Sequence, residues 1–154
     1  MLKTLLKKFV LASEDTAPKA LPEYERRQLH VAVALLLHEA ARVDLDESPR
    51  EMAAATQAMG DLLDLSAEES EGFLTEARGK ATQLISYFAP VSLIKRHFSL
   101  SERILLVEHI WRVTYADTRL DPYEDHFARK IAHLLHIPNT QVILARNAAR
   151  STTT

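Results

Sequence analysis

The sequence predicts an all-α protein: a single helical bundle of about seven helices, built from a duplicated helix–acidic turn–helix unit, with a short N-terminal amphipathic helix ahead of it. Three observations carry this. Glycine is rare, with 3 in 154 residues, while Ala, Leu, Glu and Arg are abundant, which favours helix nearly throughout. Four helix-start signals are spelled out: Ser48-Pro49-Arg50-Glu51, Ser66-Ala67-Glu68-Glu69, Ser99-Leu100-Ser101-Glu102 and Asp121-Pro122-Tyr123-Glu124. Two stretches, Leu29 to Ala41 and Ile104 to Thr114, are apolar on almost every side of a helical wheel and belong in the middle of a bundle.

Taken in order, Leu2, Leu5, Leu6, Phe9 and Val10 fall at helical spacing opposite Lys3, Lys7 and Lys8, which makes residues 1–13 a short basic amphipathic helix. A linker with Pro18 and Pro22 follows, so residues 1–21 stand apart from a helical domain over 22–150. Pro22 opens a long helix to about Val43, and Ser48 caps the next, which ends near Leu63. The Ser66 capping box starts a helix reaching about Thr82, and Leu84 to His97 forms another, interrupted or restarted at Pro90. Ser99 caps the second central helix, whose narrow polar stripe holds Glu108, His109 and Arg112, with Glu108 and Arg112 at ion-pair spacing. Asp121 caps a helix with Phe127, Ile131, Leu134 and Leu135 as its core stripe, and Asn139 is the expected cap of the last.

Composition excludes several classes. A net charge of −2 and the absence of a long basic block remove the electrostatic case for nucleic acid. No cysteine means no disulfide framework, thiolate metal site or cysteine nucleophile, and it fits a reducing compartment. The longest apolar run, Val31 to Leu37, falls far short of the ~20 residues a membrane span needs. Lys3, Lys7 and Lys8 break the apolar run of a signal peptide, so a cytoplasmic protein is expected. The apolar stripe of residues 1–13 is expected to pack on the domain, the alternatives being an anchor on an anionic membrane surface or a docking helix for a partner.

The two halves repeat. Superposing Pro49 on Pro122 pairs Asp44 with Asp117, Ser48 with Asp121 and Glu51 with Glu124. The order buried helix, acidic turn, capped helix, further capped helix recurs at a period too long for common solenoid repeats.

The second turn, Tyr115-Ala116-Asp117-Thr118-Arg119-Leu120-Asp121-Pro122-Tyr123-Glu124, resembles the Ala-Asp-Gly turn and downstream Glu of the tellurite-resistance TerB-like family. Ala41-Arg42-Val43-Asp44 through Glu51 is a degraded version of it. The resemblance covers about Pro22 to Arg150 and is nearest the small stand-alone bacterial branch, itself similar to the N-terminal region of membrane-anchored DnaJ co-chaperones. It implies an all-helical bundle, a link to chemical- or envelope-stress systems, and divalent metal at the two turns rather than a defined catalytic activity. Leu45 and Thr118 stand where the family has Gly, so these turns lose easy access to positive φ.

The expected site is therefore Asp44, Asp46 and Glu51 with Asp117, Asp121 and Glu124, oxygen ligands suited to Ca²⁺ or Mg²⁺. Helix capping alone also accounts for Ser48/Glu51 and Asp121/Glu124. Neither turn is an EF-hand: counted from Asp44 or Asp117, the sixth position is Pro49 or Pro122 and the twelfth Ala55 or Ala128. A di-iron bundle needs Glu-x-x-His, which never occurs, and neither His126 with His133, on one helix face, nor His133 with His136, one turn apart, has a convergent third ligand for zinc. There is no Gly-x-Ser-x-Gly elbow and no glycine-rich phosphate loop, so no catalytic residues are assigned. The expected function is a non-enzymatic interaction or sensing module with a protein partner. The alternatives are a peripheral membrane adaptor using residues 1–13 and, last, a metal-dependent hydrolase.

Overall fold

A computed structural model describes residues 21–42, 49–116 and 122–151, with the backbone alone for Arg42 and residues 122–124. The described residues form seven helices and no strand: α1 (Glu23–Arg42), α2 (Pro49–Leu63), α3 (Ala67–Ala81), α4 (Phe88–His97), α5 (Leu100–Ala116), α6 (Pro122–Leu134) and α7 (Asn139–Ser151). The all-α prediction and its helix count hold. The amphipathic helix expected in residues 1–21 lies, apart from Leu21, outside the described residues.

The helix starts follow the local chemistry. Ser66 Oγ accepts the Glu69 N–H at 3.1 Å while the Ser66 N–H donates to Glu69 Oε1 at 3.2 Å. Ser99 and Glu102 repeat the arrangement at 3.2 and 3.0 Å, so two orphan donors are satisfied at each start. Helices α2 and α6 begin at Pro49 and Pro122 as the sequence predicts, although the expected caps Ser48 and Asp121 lie outside the described residues. Helices α2 and α6 are followed by left-handed residues that are not glycine: Asp64 at φ 57° and His136 at φ 56°. Asp and His tolerate that region better than most side chains. The turn after α6 is closed by Ile137 N–H donating to Ala132 O.

Two boundaries differ from expectation. The helix expected from Leu84 begins at Phe88, because α3 unwinds through Gln83 and Leu84, whose N–H groups donate to Lys80 and Ala81 carbonyls. Pro90 then falls in the first turn of α4, where its missing N–H costs no helical bond. At the other boundary, Asn139 is not the outer cap of α7. The Pro138 carbonyl accepts from Gln141 and Val142, which pulls Asn139 into the first turn.

Helices α1 and α5 form the centre. The first packs on α2, α3, α4 and α5, the second on α1, α2, α6 and α7. Burial repeats in the register set by Pro49 and Pro122: Val33 with Leu106, Leu37 with Ile110, Ala40 with Val113, Ala55 with Ala128 and Met59 with Ala132 are all 0 % exposed. The same register pairs His38 with Trp111, and both are buried.

Candidate functional site around the two acidic turns

Of the six carboxylates predicted to gather at the turns, Asp44, Asp46, Asp117 and Asp121 lie outside the described residues. Glu124 sits in the first turn of α6 with only its backbone described. Glu51 is fully described: it lies in the first turn of α2 and is 1 % exposed. Among the described residues, no three His, Asp or Glu side chains come together as a metal cluster.

The flanks of the two turns meet at Tyr87. Its hydroxyl donates to Glu39 Oε2 at 3.0 Å, in the last turn of α1, just ahead of the first acidic turn. The Tyr87 ring meets Phe127 edge-on, with centroids 5.4 Å apart and planes at 71°. Phe127 lies in the second turn of α6, just past the second acidic turn. The Lys130 ammonium sits 5.5 Å from the centre of the Tyr87 ring. Tyr87 thus ties the C-terminal end of α1 to the N-terminal part of α6, and α4 packs against both helices.

A second network braces α6 on its other side. Asp125 accepts from Arg129 Nε at 2.9 Å and faces Arg146 Nε at 3.5 Å, and Arg146 donates to the Tyr115 hydroxyl at 3.1 Å. Burial opposes ionisation of Asp125, but Arg129 and Arg146 outweigh it and hold the carboxyl below its ordinary range. Tyr115, in the last turn of α5, is thereby fixed to α7, with the Arg150 guanidinium 5.8 Å over its ring. The one signal for this network in the sequence is the i,i+4 spacing of Asp125 and Arg129, which by itself marks an ordinary surface pair.

The tellurite-resistance protein TerB family matches residues 30–147, a span that contains most of the first central helix, all of the second and both turns. The chain belongs to the TerB family. A protein of unknown function from Porphyromonas gingivalis W83, PG1108, has a similar fold: TM-score 0.59 and 17 % identity over 80 % of this chain and 89 % of that one. No curated protein matches the chain in sequence.

In this TerB-family chain the central helices carry polar groups that the register of the two halves relates. Glu39 of α1 takes the position that Arg112 takes in α5. Arg112 pairs with Glu108 at 2.9 Å as its spacing predicts, and burial pushes the Glu108 carboxyl up and the Arg112 guanidinium down. His109 departs from the expected polar stripe. It is 2 % exposed, because α2 packs over that side of α5 and brings Asp61 to 3.7 Å from its Nε2. His126 and His133 are exposed on α6, away from its buried stripe.

Beside the first turn lies an open cleft of about 500 Å³ between α2 and α3, with His38 of α1 lining it and Pro49, Met52 and Arg78 among its walls. His38 is 1 % exposed, so the cleft ends on a buried imidazole.

Proposed function

We propose that this TerB-family chain is a non-enzymatic interaction or sensing module of a bacterial chemical-stress response, and that its acidic turns take up a divalent cation, Ca²⁺ or Mg²⁺. The observation that carries the reading is Tyr87, which draws the flank of one turn to the flank of the other. Oxygen ligands from two neighbouring turns would suit a hard cation, with Asp44, Asp46 and Glu51 from one side and Asp117, Asp121 and Glu124 from the other. Cation uptake would then change how α1, α2, α5 and α6 are held at their ends, a change a partner protein can read.

Thermal melts test this. Wild type should melt higher in excess Ca²⁺ or Mg²⁺ than in chelator. Asp121→Ser preserves a capping oxygen and should stay within a few tenths of a kcal/mol of wild type in chelator. The same variant should lose the cation-dependent rise, since a hydroxyl does not replace a carboxylate for a hard cation. A wild-type melt indifferent to both ions would end the cation reading.

A cytoplasmic place with contact to anionic membrane through residues 1–13 is a second reading. It draws on a sequence free of cysteine and on Lys3, Lys7 and Lys8 set against Leu2, Leu5, Leu6, Phe9 and Val10. No helix among the described residues is long and apolar enough to cross a membrane.

A further inference from the structure

The connection between α3 and α4 exposes two large apolar side chains side by side. Ile85 is 101 % exposed and Phe88, the first residue of α4, is 74 % exposed. Single exposed apolar residues are ordinary, but these two stand together on the rim of a hollow of about 460 Å³ that Val91 and Leu134 also line. Lys95 of α4, Lys130 of α6 and His136 complete the rim. From Ala81 to Ser101 the sequence contains no Asp or Glu, while it carries Lys95, Arg96 and His97. In a chain of net charge −2, this is a local excess of positive charge around an apolar tip.

We propose that the Ile85–Phe88 tip is a membrane-contact site for an anionic bilayer surface, independent of residues 1–13 and of the cation reading. In it, Ile85 and Phe88 enter the boundary between headgroups and acyl chains, while Lys95 and Lys130 meet lipid phosphates. The chemistry favours a bilayer over an acidic peptide. A peptide is held by side chains that close around it, whereas Ile85 and Phe88 stand out into solvent at the edge of the hollow. A protruding apolar side chain ringed by cations is what an anionic interface takes up. Lys130 is already held near this plane by its contact with the Tyr87 ring.

The test uses the full chain and vesicles of phosphatidylcholine with and without phosphatidylserine. Because the chain has no cysteine, Ser86→Cys gives a unique attachment point for an environment-sensitive dye between the two apolar residues. Emission should shift to the blue on phosphatidylserine vesicles and stay unchanged on pure phosphatidylcholine. The same dye at Leu144→Cys, exposed on α7, should not shift. Ile85→Asp combined with Phe88→Asp should weaken cosedimentation with the anionic vesicles at least about tenfold, and Lys95→Glu with Lys130→Glu should do likewise. Both pairs change exposed or rim side chains, so unchanged melts will show that the fold is kept. If the dye at position 86 does not respond while the protein sediments, residues 1–13 account for the binding and the proposal fails. It also fails if the vesicles are ignored and an acidic amphipathic peptide binds in an Ile85-dependent way, for the surface is then a protein site.

Discussion

Tyr87 and Glu39 are joined by a 3.0 Å hydrogen bond from the phenol to the carboxylate, and this bond links the connection after α3 to the last turn of a central helix. Tyr87 is itself the N-cap of α4, in a bridge-region conformation (φ −85°, ψ 3°), and its side chain makes no cap hydrogen bond. The tertiary bond and the Phe127 contact fix a helix start whose local side-chain support is a single long bond, from the Phe88 N–H to Ser86 Oγ at 3.4 Å.

Tyr87→Phe removes the hydroxyl and keeps the ring. A hydrogen bond to a charged acceptor contributes about 1.5–3 kcal/mol, and partial exposure places this one at the low end. Chemical denaturation should show a loss of about 1.5 kcal/mol. Tyr87→Ala also removes the edge-on contact with Phe127 and should cost a further ~0.5–1.5 kcal/mol beyond the lost apolar burial. A Phe variant as stable as wild type would show that the bond does not hold α4 to α1.

His109 sets an acid limit on stability. Burial lowers its pKa from 6.5 to about 4, and it outweighs Asp61, whose carboxylate is 33 % exposed and screened by water. As pH falls below 6.5 the unfolded chain takes up a proton that the folded chain refuses until about pH 4. Stability is therefore lost across that window, by on the order of 3 kcal/mol, and this contribution levels off below it. His109→Leu installs the residue type of Leu36, its counterpart in α1, and should flatten the window. Equilibrium unfolding of both proteins from pH 7 to pH 4 measures the difference, and equal slopes would refute the assignment.

Trp111 fills the centre of α5 with 0 % exposure. Its truncation removes the largest buried side chain and leaves a cavity in the centre of the bundle. Trp111→Ala should cost ~3–5 kcal/mol in urea unfolding. A loss below ~1 kcal/mol would contradict the packing described for this helix.

Glu51 offers a cation test free of the capping question, because Gln preserves its shape and serves as well as Glu at the third position of a capping box. If the first turn holds the ion, wild type at a hundredfold excess of cation over Kd gains about 2.7 kcal/mol. Glu51→Gln should forfeit most of that gain while keeping its melt in chelator close to wild type. Calorimetric melts with and without Ca²⁺ decide it, and an undiminished rise would take Glu51 out of the ligand set.

Much of the fold was legible in the sequence because its signals are local. Ser66 with Glu69 and Ser99 with Glu102 are reciprocal caps a few residues apart, and the structure closes both. Glu108 and Arg112 pair across a single turn. The TerB-like turn was readable as far as Asp117 to Glu124 and its weaker copy at Asp44 to Glu51. Whether those carboxylates converge depends on turn geometry, which spacing along the chain does not give.

By itself the sequence determined the all-α class, the two central helices, the helix starts at Pro49, Pro122, Ser66 and Ser99, and membership of the TerB family. Helix periodicity and caps act over three or four residues, so one chain segment contains all the physics needed. The tertiary structure alone decided that His109 is buried under α2, that Tyr87 reaches Glu39 and Phe127, and that Arg146 spans from Asp125 to Tyr115. It also decided that Ile85 and Phe88 are left in solvent, although their apolar character alone would send them to the core. Each of these depends on which helix face lies against which neighbour, a choice made by burying the whole apolar surface at once.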